Sequence, residues 1–213
     1  MKKIKYITFW TLLILSIFSS FGKNENSKPA YYHNEGVMIN GVKWATCNID
    51  RPGTFAAKPE DAGMFYQWNR KIGWSTTEPT VNSNGSSVWS SSIPAGDTWE
   101  KANDPSPAGW RVPTLDEIKT LLNTDKVHNE PVIRNGVGGI KFTCKASGNS
   151  IFLPVAGYRG FSSGTISNVK TGCYWTSTPY GSYDAYSFYF GDGNASRLNG
   201  YRSGGRLLRC VAE

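Results

Sequence analysis

The sequence predicts an α+β domain of short antiparallel strands, one or two helices and long loops. Three observations carry that reading. An Asn-Gly pair sits between apolar runs near residue 40, the mark of a tight hairpin. A hydroxyl-to-carboxylate capping box opens a helix at Thr114. Five short apolar or alternating runs, separated by glycine-rich turns, fill the second half of the 213-residue chain.

At the N-terminus, Lys2, Lys3 and Lys5 precede an apolar run from Ile7 to Phe18. A charged start, a short hydrophobic core, and Ser20 and Gly22 as small residues for a peptidase predict a secretory signal over residues 1–22. The run is short for a membrane span of about 20 residues, so a membrane enters only if this segment stays uncleaved. No cysteine precedes Cys47, so lipid anchoring is not expected. Residues 23–36 are polar, with a proline and no periodicity, and read as a flexible tether; residues 37–213 then form a single domain. Val37 to Ala45 carries the hairpin, with Cys47 at its end.

Residues 75–109 show neither helical nor strand period and are read as a long loop, which Trp89 and Trp99 are expected to pin to the core. Thr114-Leu115-Asp116-Glu117 is the capping box, and Leu115, Ile118, Leu121 and Leu122 give the helix one apolar face. Strands are expected at Gly139–Lys145, Ser150–Val155, Cys173–Thr178, Ala185–Phe190 and Arg206–Val211. Alternation along the fourth places Tyr186, Phe188 and Phe190 inside and Ala185, Ser187 and Tyr189 outside.

The formal charge of +7 falls to 7 − 3 = +4 once the leader lysines are removed. The arginines from Arg197 onward are spread among glycines and hydroxyls, so no basic stripe for nucleic acid is expected. Four cysteines, Cys47, Cys144, Cys173 and Cys210, allow three disulfide connectivities in an exported chain. With only His33 and His128 in the chain and no metal-type spacing, neither zinc nor another cofactor is expected. His33 in the tether, His128 in a polar turn and the adjacent turn acids Glu60 and Asp61 form no nucleophile-and-base or acid-and-base arrangement, so no enzyme is expected.

Between Tyr180 and Gly205, 19 of 26 positions are Gly, Ser, Tyr, Asp or Asn. Tyrosine supplies rigid contact area and small polar residues supply adaptable hydrogen bonds, the composition of antibody-like binding surfaces. The candidate binding residues are Tyr180, Tyr183, Asp184, Ser187, Tyr189, Asp192, Asn194, Ser196, Asn199, Tyr201 and Ser203. Tyrosines would anchor, and Asp184, Asp192 and Asn194 would select.

The stretches GVKWATCNID, PEDAGMFYQWN, DPSPAGWRVPTLDEIKTLL, FLPVAGYRG and YWTSTP resemble the Fibrobacter succinogenes major paralogous domain, a family of exported bacterial proteins similar to the C-type lectin-like fold. That resemblance implies chain ends joined in one small sheet, flanking helices and a long irregular loop region. It also implies the pairings Cys47–Cys210 and Cys144–Cys173. The family often has cysteine where this chain has Ser106, so any bridge from that position is absent here. Glu78-Pro79-Thr80 resembles the Glu-Pro-Asn element of sugar-binding lectins without its third residue, and no calcium is expected. The C-terminal segment resembles the variable proteins diversified by bacterial retroelements, with Trp175, Ala185, Tyr186, Phe188 and Phe190 as framework. The alternative is an ordinary polar lectin-like loop, and the neighbouring DNA separates the two. The ligand expected is an extracellular protein or glycan. The other readings are a cell-envelope or adhesion component without a discrete ligand, and an enzyme related to the cysteine-oxidising lectin-like fold.

Overall fold

The structure, a computed structural model, describes residues 35–191 and 194–213. The expected leader, most of the tether and Asp192 lie outside the described residues, and Asn194 is described in its backbone only. None of the described helices is long and apolar enough to cross a membrane.

The chain opens on β1 (Val37–Ile39) and β2 (Val42–Trp44), joined by Asn40 and Gly41 at φ of 46° and 83°. Two successive positive φ values define the hairpin turn whose twist matches its strands, and Asn-Gly adopts them at least cost. Next come β3 (Phe65–Gln67) and β4 (Gly73–Trp74), then the long loop, then β5 (Trp110–Arg111). Helix α1 (Leu115–Leu121) starts at Thr114 with both halves of the capping box made, and it buries Leu115, Ile118 and Leu121. Strands β6 (Val127–Arg134), β7 (Val137–Cys144) and β8 (Ser150–Pro154) follow as an antiparallel sheet. After β9 (Tyr158–Arg159) and β10 (Ile166–Ser167) come the long strands β11 (Gly172–Tyr180), β12 (Asp184–Gly191) and β13 (Asn194–Tyr201). The chain closes on β14 (Gly205–Arg206) and β15 (Val211–Ala212).

Among the described residues the strands form four sheets. Strand β15 pairs with β2 and β5, so the two ends of the domain share one small sheet, as the resemblance implies. A second sheet runs β10-β9-β14-β3-β4, and a third runs β11-β12-β13.

The fold class is mostly β, which corrects the α+β expectation: 40% of the described residues lie in strands and 6% in helix. The physical reason is that two strands hide behind polar sequence. Val127–Arg134 carries His128, Glu130 and Pro131, so His128 lies in strand β6 instead of a turn. Its register is set by Asn135 and Gly136, at φ of 48° and 84°, the same turn signal that marks the first hairpin. Strand β13 is polar along most of its length and is held by its ladder to β12.

The β11-β12-β13 sheet lies between two cores. Tyr174, Phe188 and Phe190 join Phe142, Leu153 and Ile118 on one side; Trp175 and Ala185 join Tyr66, Trp68 and Leu208 on the other. Burying each such aromatic ring is worth roughly 1.5–3 kcal/mol, which makes this sheet the centre of the fold. It also corrects the alternation read from sequence. Ala185 and Ser187 are fully buried, Tyr186 and Tyr189 are half-buried, and only Phe188 and Phe190 fall where the pattern placed them.

The long loop is tied down by its tryptophans. The Trp89 ring lies 4.7 Å from that of Trp74 and its indole donates to the Phe161 carbonyl, while Trp99 meets Trp68 edge-on at 5.7 Å. Its start is organised by Arg159, which is fully buried. That guanidinium donates to the carbonyls of Ser75, Thr77 and Gly164, the hydroxyls of Ser75 and Thr80, and the carboxylate of Glu78. A fixed cation thus takes up the Glu78 carboxylate and the Thr80 hydroxyl of the Glu78-Pro79-Thr80 turn. Chelator is expected to leave the melting temperature unchanged, whereas Arg159→Ala, which strands several buried acceptors, should cost about 3 kcal/mol. A large fall in melting temperature with chelator would contradict this account.

The four cysteines are free and buried, which corrects both expected disulfides. Three of the thiols have a polar neighbour of their own: Cys210 Sγ lies 3.1 Å from Ser106 Oγ, Cys173 Sγ accepts from Arg206 at 3.0 Å, and Cys47 lies 3.8 Å from Thr46 Oγ1. The terminal strands do adjoin, and the chain after β2 stays beside them, with Ala45 N–H donating to the Cys210 carbonyl and Ile49 N–H to that of Leu208, but the Cys47 and Cys210 thiols lie against Thr46 and Ser106 and not against each other.

Candidate binding face

Strands β11, β12 and β13 run side by side, and their register decides what the free end of the sheet presents. Tyr180 pairs with Asp184, and Asp184 pairs with Tyr201. Directly paired residues project from the same side of a sheet, so one carboxylate stands between two tyrosines. Two residues along β12, Tyr186 pairs with Asn199 on that same side. The Tyr180 and Tyr186 rings meet at 5.1 Å, and the Asn199 amide donates to Asp184 at 3.3 Å. Tyr183 stands in the turn between β11 and β12 and is 65% exposed, the most open of these tyrosines.

Beneath this end lies Arg202, 2% exposed. Its Nε donates to the Asp184 carbonyl, Nη1 to that of Gly96 and Nη2 to that of Gly181, and the guanidinium sits 4.2 Å over the Trp68 ring. One buried cation therefore fixes the β11–β12 turn and the long loop to the same point. Burial lowers the Arg202 guanidinium below its ordinary value, while the charges of Asp97 and Asp184 oppose that shift.

The structure brings Tyr180, Tyr183, Asp184, Asn199 and Tyr201 together at one end of the sheet. Ser196 is exposed farther along β13 and Tyr189 is half-buried on the side of the sheet opposite the tyrosine row. Ser187 and Ser203 are fully buried and do not face outward as expected. The Ser187 hydroxyl donates to the Leu198 carbonyl and accepts from Arg206, and the Ser203 carbonyl accepts from the Gln67 amide. Of the late arginines, Arg202 and Arg209 are buried, Arg206 is half-buried and Arg197 is exposed.

Sequence reasoning missed two contributors. Phe161 is 46% exposed, and its ring lies 4.3 Å from that of Tyr201. The other is Arg202, which in sequence is one of several arginines spread among glycines and hydroxyls and in the structure is buried. Its sequence position, directly after a tyrosine and before Ser-Gly-Gly, was the signal of a chain reversal that a side chain has to stabilise.

The family model of the Lcl C-terminal domain matches residues 40–212, most of the chain and all of this face. The chain belongs to the Lcl C-terminal domain family. That family is of the C-type lectin-like, variable-protein type, and the comparison leaves the narrower Fibrobacter likeness without support. No curated protein and no solved structure is significantly similar to the chain. In this Lcl-type domain, then, the segment singled out by its composition is the central sheet itself, with its free end carrying the tyrosines.

Proposed function

We propose that this chain is an exported binding module, without catalytic activity, that engages an extracellular ligand through the free end of the β11-β12-β13 sheet. The observation that carries the reading is the row Tyr180–Asp184–Tyr201, extended by Tyr183 in the turn and Tyr186–Asn199 behind it. Rigid aromatic rings with two χ angles lose little entropy on binding, and a carboxylate and an amide among them give orientation. Family membership supports a variable, ligand-binding type of module.

The framework beneath explains how such a surface stays put. Trp175 and Phe188 are fully buried on opposite sides of the sheet, and Arg202 bonds to backbone carbonyls only. Exposed side chains can then change without disturbing the fold. The variable sites read from sequence fit this picture at Tyr180, Tyr183, Asn199 and Tyr201, which are all exposed.

The test is a screen of glycan and extracellular-protein arrays with the wild type and with a Tyr180→Ala, Tyr183→Ala, Tyr201→Ala variant. Hits should disappear in the variant while its melting temperature stays within a few degrees of wild type. Hits that survive all three substitutions place the binding surface elsewhere and refute the reading.

A further inference from the structure

The chemistry of the face points to the kind of group it takes, an inference that rests on the reading just given. Asp184 stands directly between Tyr180 and Tyr201, 49% and 47% exposed. The Tyr186 ring closes one side through its contact with Tyr180. A carboxylate ringed by aromatic faces attracts a cation twice, by direct charge and through the negative faces of the rings.

The surroundings reinforce that sign. The guanidinium that grips the Asp184 and Gly181 carbonyls also grips that of Gly96, which brings Asp97, exposed on the long loop, beside the same end of the sheet. Arg202 itself cannot serve an anionic ligand, because it is buried and its Nε, Nη1 and Nη2 are all bonded to backbone carbonyls. Arg197 projects from the same side of β13 but pairs with Phe188, about 13 Å along the strand from Tyr201. The tip is therefore aromatic and acidic, and the basic group stands well away from it.

We propose that this tip binds a protein partner through an arginine or lysine side chain seated on Asp184 between the tyrosine rings. The guanidinium or ammonium would donate to the carboxylate while its flat or methylene portion lies against Tyr180 and Tyr201.

The experiment is a titration of the full chain with fluorescent oligoarginine and oligolysine peptides, with oligoglutamate and heparin as opposed probes, at low and high salt. The cationic peptides should bind, weaken as salt rises, and lose about tenfold in affinity with Asp184→Asn and with Tyr201→Ala. Thermal melts confirm that both variants are folded. No binding of either cationic peptide, or binding unchanged by Asp184→Asn, overturns the proposal. If heparin or oligoglutamate binds instead and Tyr183→Ala abolishes it, the cationic partner is wrong and the face stands. If a bound probe is indifferent to the Tyr180, Tyr183 and Tyr201 substitutions, the face itself is wrong.

Discussion

Methionine in place of Arg209 is expected to lower the unfolding free energy by about 3–5 kcal/mol. Arg209 is 1% exposed, and its three nitrogens donate to Asn48 Oδ1 at 2.9 Å and to the carbonyls of Ala45 and Phe152 at 3.1 Å each. Those acceptors lie beyond β2 and within β8, so one side chain joins the segment after the N-terminal hairpin, the middle of the chain and the approach to the final strand. Removing it strands three buried acceptors, each costing about 1–3 kcal/mol. Methionine recovers part of the sum, since it spares the burial of a charge. Typical domains have only about 5–15 kcal/mol in hand, so the loss should be plain in a urea titration. Lysine should do little better, because a single ammonium cannot reach three separated carbonyl-type oxygens with the geometry of a planar fork. A midpoint unchanged by either substitution would mean that Arg209 is not the tie described.

Cysteine at position 106 is expected to close a disulfide with Cys210. Ser106 Oγ already lies 3.1 Å from Cys210 Sγ, and the two residues are 104 apart in sequence. Closing a loop of that length removes unfolded-state entropy worth about 4–5 kcal/mol, less whatever strain the bridge introduces. Non-reducing peptide mapping should recover a 106–210 linked pair from oxidised Ser106→Cys. Its melting temperature should exceed that of the wild type and fall back on reduction. The wild type should titrate four thiols once denatured, in keeping with four free cysteines. A bridge to any other cysteine would refute the placement of Ser106 against Cys210.

Local signals in the sequence were sufficient where a few adjacent residues decide the backbone. Asn40-Gly41 dictates its hairpin and Thr114 with Glu117 dictates the start of α1, because the groups that satisfy each other are at most three residues apart. The aromatic strands β11 and β12 were legible from their apolar runs. Strand β6 was not, since Pro131 and the run His128-Asn129-Glu130 mask it, although Asn135-Gly136 announces the turn that forces it to pair. The candidate face was legible as composition and illegible as arrangement. Which tyrosine stands beside Asp184 depends on the register among three strands, and that register is fixed by contacts on both cores. Buried arginines are the hardest case. Nothing local in the sequence marks Arg159, Arg202 or Arg209 as buried, and only the carbonyls that converge on them, from segments as far as 164 residues away, reveal their role.

The bonds of Arg202 have a consequence for heredity. Every one of its side-chain hydrogen bonds goes to a main-chain oxygen, of Gly96, Gly181 or Asp184, and a carbonyl is the same whatever side chain its residue carries. Substituting Tyr180, Tyr183 or Tyr201 therefore alters what the domain meets without altering what holds it. Mutational tolerance should follow the ladder as stripes, permissive at the open row and intolerant at Trp175 and Phe188. A lineage could rewrite its specificity there as though drawing from a library mounted on a fixed shelf.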